Sequence, residues 1–327
     1  MDFLSILNST VGFVIDPVTI AFSLAALGLA VHFGFAGLLN MGMAGFMALG
    51  AYGYAIGILT FGLPWYLAAF LGPAAAIVFA LILGIPTLRL RGDYLAIVTI
   101  AAAEILRLLF LTSTFGPFTG SADGLSGHNS GSFWADNPLP EGQYDFGPFR
   151  GTELDWWVRI VGFAILCVSV AIVWALVNSP WGRVLKGIRE DEDAVRSLGK
   201  NIFAYKMQAL IIGGVLGALG GLVLAMGQNV NPNQYVTSIT FYIWTALLLG
   251  GAATVFGPLA GAIIFWVIQA FIGLLMPALA AEGLLLGLSS IQAAQIKFIL
   301  VGVALVLIVV FRPQGIFGNK KELTFVK

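Results

Sequence analysis

The chain has 327 residues, of which 59% are hydrophobic and only 10% charged, whereas an ordinary soluble domain carries about 25% charged residues. Its mean hydropathy is +0.96, and its 16 basic residues balance its 16 acidic ones. These values exclude a water-soluble enzyme, a nucleic-acid binder and a disordered chain, and they predict an all-α polytopic membrane protein. A single cysteine, Cys167, excludes a disulfide framework and a multi-cysteine metal site. The start, MDFLSILNSTVGFV, lacks the basic stretch of a cleaved signal peptide.

Residues 3–15 are apolar but short for a crossing, and predict an interfacial or half-inserted helix. A crossing needs about 20 apolar residues. Nine segments qualify, at 17–39, 41–60, 64–86, 93–113, 156–178, 205–228, 240–256, 257–277 and 293–311, within a range of about 8–10 transmembrane helices. His32, in the middle of the first span, reads either as an interhelical hydrogen bonder or as a proton carrier. In the Gly-rich corner that follows, Asn40 and Gly42 read as a helix cap or as groups open to a translocation path. Glu104 and Arg107 lie three apart on one face of the fourth span. A lone intramembrane charge is costly, so they read as a buried ion pair or as path lining. Gly53 and Gly57, Gly213, Gly217 and Gly221, and Gly257 and Gly261 repeat at four-residue spacing, which permits close helix crossing. Gln228, Asn229 and Asn231 read as loop caps, His128 as a lone loop histidine beside Asp123, and Lys297 as the snorkelling start of the last span.

Basic residues set the orientation. Arg89 and Arg91, the segment 179–206, and the tail with Arg312, Lys320, Lys321 and Lys327 are basic and predicted cytoplasmic. Loop 114–155 holds only Arg150 against Asp123, Asp136, Glu141, Asp145, Glu153 and Asp155, and is predicted outside. The N-terminus then lies outside and the C-terminus in the cytoplasm. Residues 1–327 form one membrane domain with an outer loop, 114–155, and an inner loop, 179–206. GFAGLLNMGMAGFMALGAY from Gly34 and LGGAATVFGPLAGAIIFW from Leu249 are weakly alike, as in a parallel internal repeat.

The inner loop reads SPWGRVLKGIREDEDAVRSLGKNIFAYK. Its acidic run and Gly199 predict one short amphipathic helix over 188–199, with Ala194, Val195 and Leu198 on one face and Gly199 as its left-handed stop. Asp193-Ala194-Val195, with Gly199 six residues after Asp193, resembles the Glu-Ala-Ala-x-x-x-Gly loop of ABC importer permeases. The longer string GRVLKGIREDEDAVRSLGKNIFAYK, with LRLRGDYLAIVTIAAAEILRL, LGGAATVFGPLAGA and FRPQGIFG, is similar to LivM-type permeases of branched-chain amino-acid importers.

That resemblance implies a permease subunit in a bacterial cytoplasmic membrane. By it, a second related permease completes the pore, two cytoplasmic ATP-binding subunits hold ATP and Mg, and an external binding protein delivers leucine, isoleucine or valine. Urea or short amides are the alternative cargo, and an ATP-independent secondary transporter is the rival class. Ala194, Val195 and Leu198 would bury in the ATPase, with Arg189, Glu190, Glu192 and Asp193 around them. The sequence holds no G-x-x-x-x-G-K-[ST] phosphate loop, no H-E-x-x-H and no G-x-S-x-G, so no catalytic residue, metal or bound cofactor is expected in this chain.

Overall fold

The computed structural model describes residues 3–88, 92–129, 131–282, 289–311 and 314–318. Its helices, in chain order, are α1 (Phe3–Gly12), α2 (Pro17–Leu29), α3 (Met43–Leu59), α4 (Trp65–Thr87, broken at Ala69 and Phe70), α5 (Gly92–Leu111), α6 (Glu153–Asn178), α7 (Pro180–Glu190), α8 (Glu192–Ser197), α9 (Ile202–Gly227), α10 (Thr237–Gly250), α11 (Gly257–Ala281) and α12 (Ser290–Phe311). A small hairpin of β1 (Gln143–Phe146) and β2 (Phe149–Thr152) precedes α6. The chain is thus an all-α polytopic membrane protein, and each of the predicted spans coincides with a helix. Among the described residues six helices are long and apolar enough to cross a bilayer, while α3 and α10 are shorter. Arg89, Arg91, Arg312, Lys320, Lys321 and Lys327 lie outside the described residues.

Local chemistry fixes the helix starts. Asp16 caps α2 by accepting from Val18 N at 2.9 Å, with Pro17 as the first helical residue. Thr152 and Asp155 form a reciprocal capping box on α6. Asn201 caps α9 through Ala204 N. Several predicted boundaries move, two of them with a consequence for a residue or corner read from the sequence. The seventh span ends at Gly250 rather than 256, because Gly251 takes φ +117, which leaves a non-helical corner before α11. The last helix starts at Ser290, so Lys297 lies two turns inside it, its ammonium 5.2 Å from the centre of the Phe298 ring, and does not open the span.

The centre of the bundle is α2 and α9, whose most apolar windows are 89% and 78% buried within the chain, against 17% for α5. Glycine makes this centre tight. Gly213 abuts the Gly28 carbonyl and the His32 ring, whereas Gly217 and Gly221 face Met43 and Met47. The four-residue run therefore does not serve one crossing; it wedges α9 between α2 and α3. Gly53 and Gly57 pack on Gly72 and Ala68 of α4, and Gly261 on Ala246 and Gly250 of α10.

The connections sort to two ends. Trp65 donates its backbone N–H to Ser132 Oγ and its indole N–H to Asp136, each at 2.9 Å, and Leu125 bridges Val230. Thus loops 61–63, 114–155 and 229–239 gather at the hairpin end. At the opposite end Arg189 holds Gly34, Gly34 abuts Ala252, and Ile316 N and Phe317 N donate to Leu249 and Gly250. The 26 residues of α6, about 39 Å of helix, separate the two groups. Loop 114–155 and the basic segment 179–206 thus lie at opposite ends of the bundle.

Candidate functional site

Segment 179–206 is a platform of two helices, not one. Ser179 and Pro180 start α7, with Trp181 N donating to Ser179 Oγ at 3.2 Å. Gly182, Leu185 and Ile188 turn inward, at helical spacing. The predicted continuous helix over 188–199 is broken at Asp191, which takes extended φ −152 and ψ 103 and caps α8 by accepting from Ala194 N at 2.9 Å. The break divides the predicted apolar face. Val195 is buried over Gly187, while Ala194 stays exposed and Leu198 is 77% exposed. Gly199 follows at φ +74, the left-handed stop that the sequence predicts.

The charged residues of the platform split likewise. Glu192 is tied inward to Lys206 Nζ at 2.5 Å, and Arg196 donates to Asp193 at 2.7 Å. Glu190 is open, 3.7 Å from Arg189. Arg189 points the other way, with its side chain only 11% exposed and Nη1 donating to the Gly34 carbonyl. Its stem lies against Gly37, which takes φ +69; an added Cβ there would meet Arg189 Cγ at 3.2 Å. Lys186 sits 6.0 Å over the Phe35 ring, and Trp181 donates to Gln208 at 2.8 Å.

The Gly34 carbonyl belongs to a wider turn, a π-helical segment over Ala30–Phe35 that ends the first span. Within it His32 is fully buried, with Nε2 3.0 Å from Leu210 O and Nδ1 3.0 Å from Asn40 Nδ2. Nε2 therefore carries the proton and donates to the carbonyl, and Nδ1 accepts from the amide. Asn40 Oδ1 accepts from Gly42 N at 2.8 Å, and the Asn40 carbonyl accepts from Trp244 Nε1 at 3.1 Å. Asn40 thus braces the start of α3 and donates to His32, and its side chain is closed within this chain. Gly42 leaves no space for a side chain against Thr99, whose Oγ1 accepts from Met41 N at 2.9 Å. The platform, the wide turn and the buried amide form one continuous chain of contacts from the loop to the bundle centre.

Glu104 and Arg107 pair with each other, Nε lying 3.0 Å from both carboxylate oxygens. Arg107 also donates to Asn233 at 3.2 Å, which places the pair toward the hairpin end of α5. Asn231 is the loop cap expected, accepting from Asn233 N at 2.8 Å.

Loop 114–155 corrects the reading of His128 as a lone histidine and adds Asn129, which the sequence did not single out. His128 is buried, its Nε2 2.7 Å from Ala225 O, and Asn129 donates to Ala225 O and Met226 O at 2.7 and 2.8 Å. Together they satisfy carbonyls in the last turn of α9. Burial pushes the His128 imidazole below its ordinary pKa, opposed by the bond to Ala225. Only a loop that returns to a helix end makes such caps, and linear spacing carries no sign of that return.

The family described as branched-chain amino acid transport system / permease component matches residues 17–310. The chain belongs to this family. This permease is 28% identical over 312 residues to the high-affinity branched-chain amino acid transport system permease protein LivM of Salmonella typhimurium, covering 92% of this chain and 69% of that protein. It is 29% identical to LivM of Escherichia coli over the same shares. It is 23% identical over 305 residues to the nucleoside ABC transporter permease protein NupC of Lactococcus lactis, covering 89% of each. The fold and the family agree that the chain is a multi-pass ABC transporter permease.

Proposed function

We propose that this chain is the membrane-spanning subunit of an ATP-driven importer in the bacterial cytoplasmic membrane, moving leucine, isoleucine and valine by alternating access. The similarity to LivM supports that cargo; the similarity to NupC supports a nucleoside as the second reading. The observation that carries the coupling role is the platform. It presents Leu198 and Ala194 outward while Arg189 and Glu192 fasten it to the bundle. A cytoplasmic ATPase grips the outward residues, and Arg189 passes its movement to the wide turn at Gly34. ATP and Mg reside on two such ATPases, and an external binding protein meets the hairpin end. A second permease packs against α5, because the charges of Glu104 and Arg107 on a helix so little covered by its own chain are costly against lipid.

Two measurements test this. In proteoliposomes containing the assembled complex and the binding protein, uptake of leucine, isoleucine and valine should require ATP. Uptake of a nucleoside or urea in their place would overturn the cargo, and uptake without ATP would overturn the class. Burying a leucine-sized side chain contributes about 1.5–3 kcal/mol, so Leu198→Asp should weaken ATPase co-purification roughly tenfold or more, and Ala194→Glu likewise. Wild-type co-purification with both variants would remove the docking role from α8.

A further inference from the structure

A polar cavity of about 290 Å³ opens at the hairpin end, lined by Ser5, Asn8, Ser9, Asp16, Arg150 and Arg159 among others. Arg159 is the residue that needs explaining. It is only 9% exposed, yet its Nε and Nη1 have no hydrogen-bond partner, while Nη2 donates to the Arg150 carbonyl at 3.1 Å. A buried guanidinium with unmet donors is costly unless an acceptor joins it. The Trp156 ring, 5.0 Å from the guanidinium, holds it in place. Asp16 stands in the same wall, accepting from Val18 N at 2.9 Å. The site therefore offers a cation and a carboxylate side by side, with hydroxyl and amide groups from α1.

Its position points to the occupant. Arg159 lies six residues into α6, about 9 Å below the helix start, near enough to the membrane boundary for its long side chain to reach a lipid phosphate. Trp156 and Trp157 beside it are residues that favour the membrane interface. The roof of the cavity is α1, which exposes Phe3, Leu4, Leu7 and Val11, as a helix lying in the interface does. The volume suits a head group. We infer that this cavity binds the head of a zwitterionic phospholipid from the adjoining leaflet, its phosphate on Arg159 and its ammonium facing Asp16. The apolar side of α1 then lies over the acyl chains, and the lipid fastens α1 and the hairpin to α6.

Native mass spectrometry of the purified permease complex, with added phosphatidylethanolamine or phosphatidylglycerol, tests this. The wild type should retain phosphatidylethanolamine in preference. Arg159→Gln should lower that retention at least tenfold. Ser9→Phe, on the exposed helix and filling the cavity while leaving the arginine in the sequence, should do the same in a protein that stays folded. ATP-dependent uptake is measured separately, so failure of the lipid site is distinguishable from failure of the transport reading. Undiminished retention in both variants, preference for phosphatidylglycerol, or displacement of the lipid by free leucine would each overturn the inference.

Discussion

Asn40 is the sharpest test of the buried corner. Replacing it by leucine removes the donor to His32 Nδ1 and the acceptor for Gly42 N, at sites with no access to water. Each stranded group costs about 1–3 kcal/mol, so Asn40→Leu should destabilise the bundle by about 2–6 kcal/mol. His32→Leu strands the Asn40 amide and takes one partner from the Leu210 carbonyl, for a similar loss. The double variant strands neither member of the shared bond, so it should be about 1–3 kcal/mol more stable than the sum of the singles predicts. Unfolding free energies in mixed micelles, for the wild type and all three variants, measure that difference. Additivity within about 0.5 kcal/mol would show that His32 and Asn40 do not share a bond, and the reading of the corner would fall.

Arg189→Ala removes the bond to Gly34 but leaves Leu198 in place, so the ATPase should still bind while transport per ATP hydrolysed drops several-fold; Arg189→Lys should restore part of it, and an unchanged ratio would refute the linkage. Glu104→Gln alone should lose about 1–2 kcal/mol of stability in detergent, and the double change with Arg107→Met less, because only the single change strands a charge beside Asn233; the reverse order would show that the two are not partners. For His128 the folded pKa is depressed from 6.5, so its contribution to stability is present above about pH 6.5 and is lost as pH falls below that. His128→Gln should flatten this slope in thermal melts, and an identical slope would assign it to other groups.

The spans were legible because hydropathy sums over some twenty residues, and a boundary error hardly moves the sum. The platform was legible only in part. Four successive acidic residues, Glu190 to Asp193, each suit the start of a helix, and only the fold decides that Asp191 is the cap. Ser179-Pro180 follows directly on the predicted span 156–178, yet a serine before a proline is also the start of a helix, and here α7 begins. The Glu104–Arg107 pair could be read from its spacing because both partners lie on one helix. His32–Asn40 could not, since the bond depends on a wide turn that no residue pattern marks. Nothing in the sequence singles out Arg159, because its burial comes from α1 and the hairpin, which are distant in sequence.

The glycine contacts of α9 have a mechanical consequence. Where Gly220 meets the Ala21 carbonyl and Gly221 the Met47 carbonyl, an added methyl carbon would overlap the neighbouring backbone oxygen. Backbones that close leave no slack for sliding, because a shift along the axis would drive larger side chains into the same gap. The three helices α2, α3 and α9 therefore act as a stator. On the proposed importer reading, opening and closing of a passage falls to the more loosely covered helices around this centre, α5 among them.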